Sequence, residues 1–398
     1  MRPTSVLATL TGRDRPGVIA AFFAALAAHD VDVRDVEQVV IRDRLILTVL
    51  FDLRGDPAAL RNSATTSARA LGMECEVSIA EAGDGLRRRK PGERSHVIVL
   101  GQPLRPGAVS HIAQRIADHG GNIETVTQLS SEPVSSLEML VRSNDPAGLR
   151  AALIQAAEDT GVDVAVEPAG LRRRAKRLVV LDVDSTLIRQ EAIDVLAERA
   201  GVRRQVEAIT SRAMAGEIDF EESLRERVAL LAGLPIAEVE SVRDGLQLTA
   251  GARTFVRTLR RLGFHVGIVS GGFTVVTDRF VAELKLDFAA ANELEIIDGR
   301  VTGRVGGRIV GRAGKADALR RFAAQFAVPL SQTVAVGDGA NDIDMLEAAG
   351  LGIAFNAKSA LRAAADTSLN VPYLDTVLFV LGISRDEIEE ADALDPAQ

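Results

Sequence analysis

The chain has 398 residues, 47% apolar and 26% charged, which is room for two or three domains and the wrong balance for global disorder. A formal net charge of −8 argues against a general nucleic-acid binder, although a metal ion and a lysine can reverse the sign locally around a phosphorylated substrate. A single cysteine, Cys75, excludes a disulfide framework and a cysteine zinc cage, and it reads as a semi-buried structural thiol. The longest apolar run, Val18 to Ala28, falls well short of the ~20 residues of a membrane span, and no secretory apolar core opens the chain. A cytoplasmic protein that binds neither membrane nor nucleic acid is expected.

The first 170 residues repeat themselves. Arg15-Pro16-Gly17 recurs as Arg105-Pro106-Gly107, each after a strand-like run and before an alanine-rich amphipathic helix. At the same offset His29 pairs with His119, Val33 with Ile123, Val36 with Val126 and Gln38 with Gln128. Strands follow over Gln38 to Leu53 with a turn at Asp43, and over Thr125 to Val141 with a turn at Glu132-Pro133. A second helix (Ala58 to Leu71; Pro146 to Thr160) and a last strand complete each unit. The order βαββαβ predicts a ferredoxin-like antiparallel sheet with both helices on one face, spanning 1–82 and again 94–168.

Both copies resemble the ACT domain, a small amino-acid-sensing module that commonly pairs edge to edge and binds effectors at the pair interface. The resemblance implies effector-binding roles for Asp14, Gly17 and Asp32 in the first copy and Gly107 and Asn122 in the second. Glycine there would let the backbone approach a ligand closely. Leu104 replaces the loop aspartate in copy two, and Asp14 has the alternative role of a helix cap. Two basic stretches, Leu86 to Glu93 after Gly83-Asp84-Gly85 and Leu171 to Arg177, read as solvated hinges.

From residue 177 the pattern changes. Leu178 to Leu181 is an apolar strand that delivers Asp182, then Asp184, Ser185 and Thr186, to a sheet edge. Two carboxylates one residue apart suit a nucleophile and a proton carrier. The helical stretch 191–248, inserted before the next strand, reads as a cap that excludes water. Phe264 to Val269 is a second strand ending in Ser270-Gly271-Gly272, a hydroxyl and backbone N–H groups suited to phosphate oxygens. A hairpin is expected around Asp298-Gly299, and Lys315 follows at the start of an amphipathic helix (Ala316 to Phe326). A last strand, Thr333 to Val336, ends in Gly337-Asp338-Gly339-Ala340-Asn341-Asp342. These acidic groups with Asp182 suit a hard cation, Mg²⁺, since no histidine lies near any motif. All five histidines lie elsewhere, which excludes a histidine-nucleophile phosphatase.

The ordered set Asp182-x-Asp184-x-Thr186, Ser270, Lys315 and Gly337-Asp338-Gly339-x-Asn341-Asp342 resembles the haloacid dehalogenase superfamily, and within it the phosphoserine phosphatase family. That resemblance implies a Rossmann-like doubly wound α/β domain over 177–385, with an acidic, mobile tail from Asp386. It implies Mg²⁺-dependent hydrolysis of O-phosphoserine, the last step of serine biosynthesis, through an aspartyl-phosphate. Asp182 and Asp184 would be catalytic. Asp182, Asp338, Asp342 and the backbone carbonyl of Asp184 would hold the metal. Glu191 and Arg227 would take the substrate's ammonium and carboxylate; Met214 and Phe220 would be apolar contacts. Ser270, Gly271, Lys315 and Asn341 would serve the phosphoryl group. Serine is the implied effector and a homodimer or higher homo-oligomer the implied assembly. The alternatives are a phosphatase or phosphotransferase for another small phosphate, such as phosphohomoserine, or a non-catalytic amino-acid sensor.

Overall fold

The computed structural model describes residues 3–80, 92–357 and 359–394. The chain folds as two units, residues 1–90 and 91–398. The hinge expected at 83–93 lies outside the described residues, except for Gly92 and Glu93.

The first unit contains β1 (Thr4–Arg13), α1 (Val18–Leu26), β2 (Val31–Ile41), β3 (Arg44–Leu53), α2 (Pro57–Ala70) and β4 (Glu74–Ala80). Period-2 alternation turns Val6, Ala8 and Leu10 of β1 and Leu45, Leu47 and Val49 of β3 inward. They meet Val18, Phe22 and Leu26 of α1 and Leu60, Ala64 and Ala68 of α2. The antiparallel order is β2-β3-β1-β4. Edge strand β2 is exposed beyond Val31, and it carries Val33, Val36, Val39, Val40 and Ile41 into solvent. Cys75 on β4 is half-buried, as expected.

The second unit opens with the same plan: β5 (Glu93–Gly101), α3 (Pro106–Asp118), β6 (Asn122–Ser130), β7 (Ser135–Ser143), α4 (Pro146–Thr160) and β8 (Asp163–Pro168), in the order β6-β7-β5-β8. A short helix, α5 (Leu171–Arg174), leads to β9 (Leu178–Leu181). Four cap helices follow: α6 (Ala192–Arg199), α7 (Arg203–Met214), α8 (Phe220–Ala229) and α9 (Ile236–Gly245). They share their own core around Leu196, Val206, Leu224, Val228 and Leu231.

The chain then alternates through α10 (Ala252–Arg261), β10 (His265–Phe273), α11 (Thr274–Leu284), β11 (Phe288–Ile297), β12 (Arg300–Gly306) and α12 (Arg312–Gln325). It continues with β13 (Thr333–Gly337), α13 (Ile343–Ala348), β14 (Gly352–Phe355), α14 (Ser359–Ala364), β15 (Thr367–Leu369), α15 (Val377–Val380) and α16 (Arg385–Leu394). The seven-stranded sheet has the order β12-β11-β10-β9-β13-β14-β15. It is parallel except for β12, which a two-residue Asp298-Gly299 turn with both φ positive returns antiparallel. Strand β9 is buried on both sides. Val179 and Leu181 meet α10 and α11, while Leu178 and Val180 meet α12 and α13. This is why it spells an unbroken apolar run rather than an alternation.

Two expectations are corrected here. The basic segment before β9 is not a solvated hinge. Arg173 is buried, pairs with Glu138 of β7 at 2.5 Å and donates to the carbonyls of Phe379 (3.2 Å) and Val380 (3.0 Å). Lys176, also buried, donates to the carbonyls of Gly350 (2.6 Å) and Ser331 (3.1 Å). Nor is the chain from Asp386 simply an acidic tail. Helix α16 buries Ile388 and pairs Asp392 with both Arg257 and Arg261 of α10. Composition shows a run of charge but not the carbonyls or arginines that await it.

Candidate active site

The predicted catalytic and phosphate residues gather at the C-terminal ends of β9, β10 and β13 and in the first turn of α12. Asp182 leaves β9, its backbone N–H donating to the Val336 carbonyl of β13 at 2.8 Å. The chain then makes one irregular turn with Ser185 at φ 57, which aims Asp184 back at the same edge. Asp184 accepts from the Ala192 N–H at the start of α6 (2.7 Å) and from Ser270 Oγ (3.3 Å). Ser270 Oγ in turn accepts from the Gly272 N–H at 2.8 Å.

Lys315 lies in the first turn of α12 with no exposed surface. Its Nζ donates to Asp182 Oδ1 at 2.6 Å and to Asp342 Oδ1 at 2.7 Å. The other Asp342 oxygen accepts from the Gly339 N–H at 3.0 Å. Gly337 is needed for this fold-back, because a Cβ there would come within 2.5 Å of Asp342 Cγ. Oxygens of Asp182, Asp338 and Asp342 lie within 4.8 Å of one another. An all-carboxylate set without nitrogen or sulfur fits a hard divalent cation. Asn341 Oδ1 lies over Gly339, where a Cβ would stand 2.3 Å from it.

Burial raises two carboxyls of this site, Asp182 and Asp184. Asp182 is pushed up by burial and next by Asp342, with Lys315 pulling the other way. Asp184 rises to about 6 through burial and then the charge of Glu191, against its bonds from Ala192 and Ser270. Burial alone would lower the Lys315 ammonium, but Asp182 and Asp342 together hold it above its usual value.

The cap brings two of its four predicted substrate residues into the same electrostatic neighbourhood. Glu191, exposed at the start of α6, accepts from Ser185 Oγ at 2.8 Å. Arg227, half-buried on α8, donates to the Ser223 carbonyl at 3.2 Å. Burial lowers its pKa, and Asp194, Glu191 and Asp184 raise it in that order. Phe220 opens α8 with its ring on Gly271 and Gly311, where a Cβ at either would meet it at 2.9 Å. Met214 ends α7 and is 68% exposed, so its packing lends no support to the expected substrate contact.

The predicted effector residues are all exposed on the two small repeats. Gly17 takes φ 89 at the start of α1 and itself occupies the cap position, so Asp14 does not cap that helix. The Asp32 carboxylate is held by Arg54 at 2.5 Å. Gly107 lies inside the first turn of α3 with open space around it, and Asn122 begins β6. The sequence reading missed Asn292 and Gly311. The signal for Asn292 was a lone carboxamide inside the buried run of β11.

Comparison with known proteins matches three regions of the chain to known families. Residues 179–347 match the haloacid dehalogenase-like hydrolase family, and residues 4–78 and 94–167 each match an ACT domain. The phosphoserine phosphatase of Streptomyces coelicolor is 54% identical over 392 residues, covering 98% of this chain and 95% of that protein. The chain belongs to the phosphoserine phosphatase family. The enzyme of that name from Mycobacterium tuberculosis is likewise 54% identical, over 98% of this chain and 96% of its own. Among solved structures, a HAD-family hydrolase from Salmonella enterica serovar Typhi covers 74% of this chain and 99% of its own, at TM-score 0.66 and 27% identity. A probable phosphoserine phosphatase from Vibrio cholerae covers 74% of this chain and 88% of its own, at TM-score 0.58 and 34% identity.

Proposed function

We propose that this chain hydrolyses O-phosphoserine to serine and inorganic phosphate through an aspartyl-phosphate on Asp182. The observation that carries the reading is the Asp182–Lys315–Asp342 cluster beside Asp184 and Ser270. A carboxylate oxygen of Asp182 attacks phosphorus as the serine oxygen departs, and Asp184 gives that oxygen a proton. Asp184 then takes a proton from the water that cleaves the acyl phosphate, releasing phosphate and regenerating Asp182. Ser270, the Gly271 backbone and Lys315 hold the remaining phosphoryl oxygens, and Asn341 orients them. Glu191 takes the substrate ammonium, Arg227 its carboxylate in a bidentate fork, and Phe220 and Met214 line the apolar side.

Four carboxylates against one ammonium cannot hold a phosphate dianion unaided. Asp182, Asp338, Asp342 and the Asp184 carbonyl would hold Mg²⁺, which would supply the missing positive charge. Serine is the proposed effector at the two ACT repeats. A homo-oligomer formed along β2 is the proposed assembly, supported by the apolar residues that this edge exposes. A single half-buried cysteine suits the reducing cytoplasm as the place of reaction. Among the described residues no helix is long and apolar enough to cross a membrane.

Phosphate release from a panel of phosphorylated amino acids, with and without Mg²⁺, tests the substrate and the cation together. Phosphoserine should be preferred and turnover should require the metal. Asp182→Asn should fold and yet release no phosphate; appreciable turnover by the pure, metal-loaded variant would overturn the nucleophile assignment.

A further inference from the structure

We infer that Asn292 is a positioning residue for the phosphoryl site. It sets the distance between the Ser270 loop and the helix that carries Lys315. The inference rests on the proposed assignment of Ser270 and Lys315 to the phosphoryl oxygens.

The pairing of β10 with β11 runs in register from Gly267 to Val269, breaks, and resumes at Phe273 opposite Asn292. Ser270, Gly271 and Gly272 therefore have no register partner on β11, and the Gly272 N–H turns to Ser270 Oγ instead. Asn292 replaces one such partner: its Nδ2 donates to the Gly271 carbonyl at 2.9 Å. On the other side its Oδ1 accepts from the Val310 N–H at 2.7 Å. Val310 precedes Gly311, whose carbonyl receives the Lys315 N–H at 2.9 Å in the first turn of α12. One carboxamide, 1% exposed, thus ties the serine loop to the lysine helix.

The side-chain chemistry is specific. Aspartate offers two acceptors and would face the Gly271 carbonyl with a charge, whereas leucine offers neither bond. Phe220 of the cap rests on Gly271 and Gly311, beside the two bonds that Asn292 makes. The same tie therefore sets the width of the notch the cap closes on.

The test uses the full chain with Asn292→Asp, which keeps an acceptor for Val310, and Asn292→Leu, which removes both bonds. Thr277→Val serves as a control. Thr277 is equally buried, but its hydroxyl bonds only Thr274 in its own helix. Measured quantities are kcat and KM for phosphoserine and for an aryl phosphate, the inhibition constant of inorganic phosphate, and the thermal midpoint. Both Asn292 variants should lose about 10- to 100-fold in kcat/KM on both substrates alike, with a matching rise in the phosphate inhibition constant. Kinetics within about twofold of the parent would overturn the inference. So would a loss no larger than that of Thr277→Val at the same midpoint, or an unmoved phosphate constant. Asn292→Asp carries the test if Asn292→Leu does not fold. Ser270→Ala, run alongside, separates the two layers. If it stays fully active the phosphoryl-site reading itself fails; if it is crippled while the Asn292 variants are not, only the tie fails.

Discussion

Arg227 shows how a surface charge becomes a recognition element. Like many other charged residues it lies on an amphipathic helix, and among the described residues no carboxylate lies at bonding distance from its guanidinium; Asp194, Glu191 and Asp184 act on it from further away. Partial burial without a direct ion pair leaves the fork open for a planar carboxylate. Arg227→Ala should cost about 2–5 kcal/mol of transition-state binding for phosphoserine, roughly 30-fold or more in kcat/KM. An aryl phosphate, with no carboxylate, should be turned over almost as before, and Arg227→Lys should recover only part of the loss. Equal losses on both substrates would make the arginine structural. Asp182, Asp184, Ser270 and Asp338 were legible because each follows an apolar strand whose burial is written in its composition, and Lys315 because it stands between the serine motif and the last acidic motif. Asn292 was not, because its partners are backbone atoms of Gly271 and Val310, which only the folded register brings to it.

At the scale of elements, the second ACT repeat is built into the catalytic unit. Asp163 of β8 accepts from the Asn370 N–H (2.6 Å), the Asn370 side chain (2.7 Å) and the Val371 N–H (3.1 Å). Thr367 of β15 donates to the Val164 carbonyl at 3.1 Å, and Ile98, Leu100 and Ala165 join the core that holds Val179 and Leu181. The βαββαβ plan of each repeat could be read from periodicity, but this junction could not, because its charges read as solvent-facing. Its cost is concentrated at Glu167, 8% exposed at the end of β8. Burial pushes this carboxyl from 4.5 up to about 7; Lys176 opposes the shift and Asp366 adds to it. The folded value lies above the ordinary one, so between those two pH values the native state keeps a proton that the unfolded chain has lost. Stability therefore declines as pH rises through that window. Glu167→Gln removes the ionisation, so its thermal midpoint should match the parent near pH 4.5 and exceed it increasingly towards pH 8. The readout is the variant-minus-parent difference, which cancels the titration of the active-site carboxyls. A difference that does not grow with pH would refute the assignment.

The whole molecule holds its two ACT repeats in different circumstances. The second shares a core with the catalytic sheet, and α16 packs beside its β6 as well as pairing with α10. The first is a separate unit whose core closes on itself. Among the described residues no strand pairs with the outer edge of β2, which exposes Val33 (48%), Val39 (51%) and Ile41 (62%). An edge of this kind is a template for another strand, and natural edges that stay monomeric are usually blunted by charge, proline or a bulge. Here the bulge between Val33 and Asp35 and the charges of Asp32, Arg34, Asp35 and Glu37 lie in the first part of the strand, and Val39 to Ile41 form an uncharged apolar end in regular register. A second copy of the same strand is the partner whose apolar pattern is guaranteed to match, and a closed two-fold pairing would cover both edges at once. Val36→Lys together with Val39→Lys should therefore halve the mass measured by light scattering, with turnover of saturating phosphoserine retained. An unchanged mass in the double variant, with the fold intact by circular dichroism, would overturn the assignment of β2 as the pairing edge.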